Sequence, residues 1–63
     1  ALRLGAVRIE DDVWVGRGSI VLQGATLRRG CVLGANTFIK NKVADEFGIY
    51  VGASATKIKT RSL

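Results

Sequence analysis

Aliphatic residues recur every six positions along most of this chain: Ile9, Val15, Val21, Leu27, Leu33 and Ile39. Four positions after each stands a small or branched residue: Val13, Ser19, Ala25, Cys31, Thr37 and Val43. A helix cannot carry this period, because six residues turn its face by about 240° at 3.6 residues per turn. A plain hairpin array fails too, since it would not hold six-residue cells in phase. The third position after each aliphatic residue is Asp12, Gly18, Gly24, Gly30, Asn36 and Lys42. All but Lys42 are types that accept the positive φ of a tight turn. Each cell is therefore a short strand followed by a turn, as in Val13-Trp14-Val15-Gly16 and then Arg17-Gly18. Lys42 breaks the turn chemistry, so the repeat is expected to end there.

Short strands joined by such turns close a triangular coil of three cells, or about 18 residues. Residues 18 apart then stack: Ile9 on Leu27, Val15 on Leu33, Val21 on Ile39, Val13 on Cys31. The predicted fold is all-β, a parallel β-helix of hexapeptide repeats with about three coils and a short C-terminal tail. Residues 1–44 form the coils, and 45–63 a loop, a closing strand and a basic tail. Two coils, 9–44, are regular, and the lead-in from Arg3 to Arg8 reads as an uncapped end.

Outward residues sort onto three faces. The first carries Arg8, Glu10, Thr26 and Arg28 and should meet water. The second carries Trp14, Gly16, Val32 and Gly34; the third, Ile20, Leu22, Phe38 and Lys40. Two apolar faces of three are too many for a solvated monomer. Wedge-like packing of two faces favours a closed ring, and the expectation is a homotrimer. A chain of this size buries only about 60% of its unfolded surface by itself, so partners are expected on that ground also.

Composition narrows the chemistry. The 63 residues hold one cysteine and no histidine, which excludes an internal disulfide and any imidazole base within the chain. No metal site is expected from one thiol without imidazole. Ten Lys/Arg against five Asp/Glu give a net charge of +5. The acids fall in two clusters, Glu10-Asp11-Asp12 and Asp45-Glu46. Such a balance admits phosphorylated small molecules, anionic lipid or nucleic acid as partners. Nucleic acid is disfavoured, because only four aromatic residues are present to stack on bases. No apolar run reaches the roughly 18 residues of a membrane span, and no signal-peptide pattern opens the chain. The lone thiol fits a reducing compartment, and a cytoplasmic location is expected.

With these residues in place, IEDDVWVGRGSIVLQGATLRRGCVLGANTFI resembles the hexapeptide-repeat acyltransferases, whose coils wind left-handed. The tail GIYVGASATKIKTR is similar to the segment that closes the sugar O- and N-acetyltransferases of that family. The left hand comes from the resemblance, since parallel crossovers are otherwise right-handed. What it implies is acetyl transfer from acetyl-CoA to a sugar-type hydroxyl or amine, at sites between subunits of a trimer. The positions matching the usual coenzyme contacts are Trp14, Arg17, Ala35, Lys40, Asn41, Lys57, Lys59 and Arg61. Gly16 and Gly34 join them, since glycines stacked one coil apart leave backbone open to a thin pantetheine arm. The family's catalytic base is a histidine in a coil upstream of the DDVW cell, so no catalytic residue is assigned here. The chain reads as a C-terminal segment of such an enzyme, or as a non-catalytic module that trimerises or binds CoA. The family's Thr-Lys pair is Lys40-Asn41 here, and its proline after Gly52 is replaced by Ala53-Ser54.

Simpler readings compete at several positions. Gly16 and Gly34 stand equally as strand packing. Trp14 suits a subunit interface better than stacking on a coenzyme. Lys57, Lys59 and Arg61 alternate with Ile58 and Thr60, which equally describes a charged edge strand. Cys31 fills an inward slot as a small apolar residue. Asp11 and Asp12 are turn residues rather than paired catalytic carboxylates. Gly16-Arg17-Gly18 matches no phosphate-loop spacing.

Overall fold

The computed structural model describes residues 5–62, so Arg3 and Leu4 of the expected lead-in lie outside the described residues. Nine strands follow in order: β1 (Arg8–Ile9), β2 (Trp14–Val15), β3 (Ile20–Val21), β4 (Thr26–Leu27), β5 (Val32–Leu33), β6 (Phe38–Ile39), β7 (Val43–Ala44), β8 (Gly48–Val51) and β9 (Thr56–Thr60). The first eight wind a left-handed parallel β-helix whose three walls are sheets of strands three apart in sequence. One wall is β1-β4-β7, the second β2-β5-β8 with β9 on its edge, and the third β3-β6.

The 18-residue stacking holds in the first two coils. Ile9 pairs with Leu27, Val15 with Leu33 and Val21 with Ile39. Every predicted turn position takes the left-handed conformation, with φ of 62° at Asp12, 74° at Gly18, 76° at Gly24, 70° at Gly30 and 57° at Asn36. Inward side chains of the second coil, Leu27, Leu33 and Ile39, are buried completely or nearly so. Their counterparts Ile9 and Val15 are 54% and 47% exposed, because among the described residues no coil covers their other side.

The repeat does not stop at Lys42; it shifts phase by one residue. Asn41, not Lys42, takes the positive φ, at 50°, so this cell is one residue short. Asparagine accepts that conformation far more readily than lysine. The next coil therefore stacks 17 residues on, Thr26 on Val43 and Leu27 on Ala44, and then Val32 on Ile49 and Leu33 on Tyr50. Val43, expected to point inward, is turned out and half exposed, and Ala44 takes the core slot. Phe47 then supplies a further turn at φ 57°, and its N–H donates to the Arg29 carbonyl at 3.0 Å.

Tyr50 closes the core from the C-terminal side. Its ring is buried, and its hydroxyl accepts from the Asp45 N–H at 2.9 Å. On the polar wall, the Arg28 guanidinium sits between Glu10, at 4.0 Å, and Glu46, at 2.9 Å. That ladder is half exposed and contributes little stability, but it favours one stacking register. The phase shift yields a test. Asn41→Gly should leave the urea unfolding midpoint nearly unchanged, whereas Asn41→Val should lower stability by about 1–2 kcal/mol, the cost of a branched left-handed residue. Equal effects of the two would put the turn elsewhere.

Candidate functional site

The turns that set the coils also place the outward residues in columns. On the second wall Trp14, Val32 and Ile49 are in direct register across β2, β5 and β8. Trp14 is 68% exposed, and Val32 and Ile49 are partly covered. Strand β9 adds antiparallel to β8, with Ile49 opposite Lys59 and Tyr50 opposite Lys57. Residues directly opposite share a face, so Lys59 continues the apolar column and ends it with a cation. Three strand spacings of roughly 4.8 Å separate Trp14 from Lys59, about 14 Å in all.

The sequence alternation put Lys57, Lys59 and Arg61 on one side of a strand. The structure separates them, because the pairing shifts by one residue between Ile49 and Tyr50 and leaves Ile58 as a bulge. Lys57 turns toward the end of the coil, where its ammonium lies 3.4 Å from an Asp45 carboxylate oxygen. Arg61 is bound at the corner between the first two walls. Its guanidinium Nη1 donates to the Gly30 carbonyl at 2.8 Å, and its backbone N–H donates to the Phe47 carbonyl at 2.6 Å. Arg17, Lys40 and Lys59 make no ion pair among the described residues.

Arg17 and Ala35 sit at the corner between the second and third walls, where the Asn36 N–H donates to the Arg17 carbonyl at 2.9 Å. Lys40 and Asn41 lie at the opposite corner, across the whole third wall. Besides Lys57 and Arg61, the candidates thus form two groups within one chain: Trp14, Gly16, Arg17, Gly34, Ala35 and Lys59 on or beside the second wall, and Lys40 with Asn41 apart. Coil packing by itself accounts for both strand glycines. A Cβ on Gly16 would stand 2.6 Å from the Gly34 carbonyl carbon, and one on Gly34 would stand 2.9 Å from a Val51 methyl. The corner hydroxyls serve the backbone: Ser19 and Thr37 each donate to the Gly34 carbonyl at 2.7 Å.

The match to known proteins follows these coils. Residues 6–41 match the model of a family described as the hexapeptide repeat of succinyl-transferase. The chain belongs to the hexapeptide-repeat acyltransferase family. A Mycobacterium tuberculosis protein named "Probable acetyltransferase Rv3034c" is 44% identical over 57 residues, which are 90% of this chain and 19% of that protein. Among solved structures, a point mutant of the Bacillus cereus N-acyltransferase AntD, in complex with dTDP and coenzyme A, superposes with a TM-score of 0.86 at 33% identity. That match takes in 92% of this chain and 31% of AntD. A hexapeptide-repeat-containing acetyltransferase from Vibrio cholerae gives a TM-score of 0.84 at 27% identity, over 89% of this chain and 31% of its own. The hexapeptide-repeat chain thus spans between a fifth and a third of the length of these relatives.

Among the described residues, no cluster of three or more metal-ligating side chains occurs, and no helix is long and apolar enough to cross a membrane. Tyr50 and the Gly30–Arg61 contact were not singled out from the sequence. An aromatic residue in a slot otherwise filled by aliphatics was the available signal for the first; nothing local marks the second. Cys31 lies inside the second coil, and burial pushes its thiol up from its ordinary value. Both effects oppose thiolate chemistry. Cys31 should therefore react with a disulfide reagent at pH 8 only as fast as the coils open, and urea should accelerate it. Rapid modification of the native chain would contradict that burial.

Proposed function

We propose that this chain is the coenzyme-binding segment of an acetyl-CoA-dependent acyltransferase that acts on a sugar-type hydroxyl or amine as a cytoplasmic homotrimer. The observation that carries the reading is the outward column Trp14–Val32–Ile49 ending at Lys59. A thin arm whose methylene stretches can lie on apolar side chains, with phosphates at one end, is complementary to such a track. Trp14 and Val32 flank the arm and exclude water, Gly16 and Gly34 let successive coils close up beside it, and Lys59 meets a phosphate. Arg17 and Ala35 form the adjoining corner.

The third wall supplies the subunit contact, with Ile20 50% and Leu22 37% exposed beside Phe38. Lys40 and Asn41 lie beyond that wall, too far round the coil to join Trp14 in the same chain. In a trimer they approach the Trp14 column of a neighbouring subunit, so the site is shared. The acceptor oxygen or nitrogen attacks the thioester carbonyl of acetyl-CoA, the C–S bond breaks, and CoA leaves as its thiolate. A base must take the acceptor's proton, and no imidazole occurs in these 63 residues. The family resemblance gives that role to a histidine, so the base is assigned to residues outside them. The same lack of histidine favours a second reading, a non-catalytic module that trimerises or binds CoA.

Calorimetric titration of acetyl-CoA with light scattering on the same sample separates the first reading from a module that only trimerises. The first predicts a trimer that binds acetyl-CoA. It also predicts that Lys59→Ala weakens binding about tenfold, the loss of one charge-assisted contact of roughly 1.5 kcal/mol. A trimer that binds no acetyl-CoA would overturn it and leave the assembly module.

A further inference from the structure

The three tail cations do different things, and Arg61 stands out. Its side chain is half buried, and its Nη1 crosses 31 residues of sequence to donate to the Gly30 carbonyl. The same residue's backbone N–H donates to the Phe47 carbonyl. Gly30 has no space for a side chain, because the Phe47 ring occupies the position of a Cβ. Gly30, Phe47 and Arg61 therefore close one corner of the last coil. Just before that corner β9 runs along the edge of the second wall, with all five of its residues exposed.

A strand that buries none of its side chains has little apolar contact to hold it, so its register rests on backbone pairing and on its ends. The bulge at Ile58 makes register matter. With the observed pairing Lys59 lies opposite Ile49, whereas a slip of one residue would bring Ile58 or Thr60 there instead.

We infer that Arg61 is a positioning residue: its hydrogen bond to the Gly30 carbonyl locks β9 in register and so places Lys59 at the end of the Trp14–Val32–Ile49 column. This rests on the coenzyme reading above for its binding consequence, but not for the lock itself. It differs from a direct contact between Arg61 and a coenzyme phosphate, because the lock needs the donor and not the charge.

The chain is short enough for chemical synthesis, which permits replacement of Arg61 by citrulline, a neutral side chain of nearly the same shape that keeps one terminal NH2 donor and carries a carbonyl oxygen in place of the other. Two readouts are compared with Arg61→Ala: amide hydrogen exchange in β8 and β9, and acetyl-CoA affinity by calorimetry. The citrulline form should keep exchange rates and affinity within about twofold of the unaltered chain. Arg61→Ala should speed exchange in β9 roughly fivefold or more, as loss of an ordinary hydrogen bond implies. It should also weaken acetyl-CoA binding by about the factor seen for Lys59→Ala, and the double variant should be no worse than Lys59→Ala alone.

If citrulline loses as much affinity as Ala while β9 stays protected, Arg61 contacts phosphate directly and the inference fails. If Arg61→Ala leaves β9 exchange unchanged, there is no lock, whatever the affinity. Should the unaltered chain bind no acetyl-CoA, the coenzyme reading falls and exchange alone decides the lock.

Discussion

Parallel backbone pairing between residues one coil apart is the interaction on which everything else here depends. Strands of two residues are too short to stand as hairpins, and each gains stability only from the strands stacked on it. The stacked coils supply the core, where Leu27 lies between Ile9 and Ala44, Leu33 between Val15 and Tyr50, and Ile39 beside Val21, and all three lose essentially all contact with water. They also leave no room for side chains where backbones approach most closely, as between Gly16 and the Gly34 carbonyl carbon. The Glu10–Arg28–Glu46 ladder repeats the same vertical relation on the polar wall. Stacking thus fixes position along the coil axis and face around it at once.

That coupling explains why a site can be read from a fold with so little regular structure. Once residues stack, an outward side chain belongs to a column, and the chemistry of a face is the chemistry of its column. The second wall is apolar from Trp14 to Ile49 and basic at Lys59; the third is apolar at Ile20 and Phe38; the first is mixed charge. On the proposed reading, a coenzyme with a slender arm and phosphates at one end lies along the second wall, and a subunit contact takes the third.

Most of the coil was legible in the sequence because its cause is local. Turn residues that accept positive φ recur at one position of each cell, and the five named from the sequence all adopt it. The phase shift was not legible, since it required choosing between Asn41 and Lys42 as the turn residue when the period favoured the latter. Asparagine's tolerance of the left-handed region outweighed the period. Phe47 escaped for the opposite reason: no local preference puts an aromatic residue at positive φ, and its ring is placed against Gly30, a coil away. The tail was half legible. Its charged edge strand was evident from alternation, but the bulge that divides Lys57 from Lys59, and the turn of Arg61 toward Gly30, arise from pairing with β8. Alternation within one strand carries no record of them.

The central claim is that stacking gathers Trp14, Val32, Ile49 and Lys59 into one coenzyme track. Nitrogen-15 amide shifts recorded during a titration with acetyl-CoA test it most directly. The account predicts perturbations along Trp14, Val32, Ile49 and Lys59, with Arg8, Thr26 and Val43 on the first wall unmoved. Shifts concentrated on the first wall, or none at saturating acetyl-CoA, would contradict it.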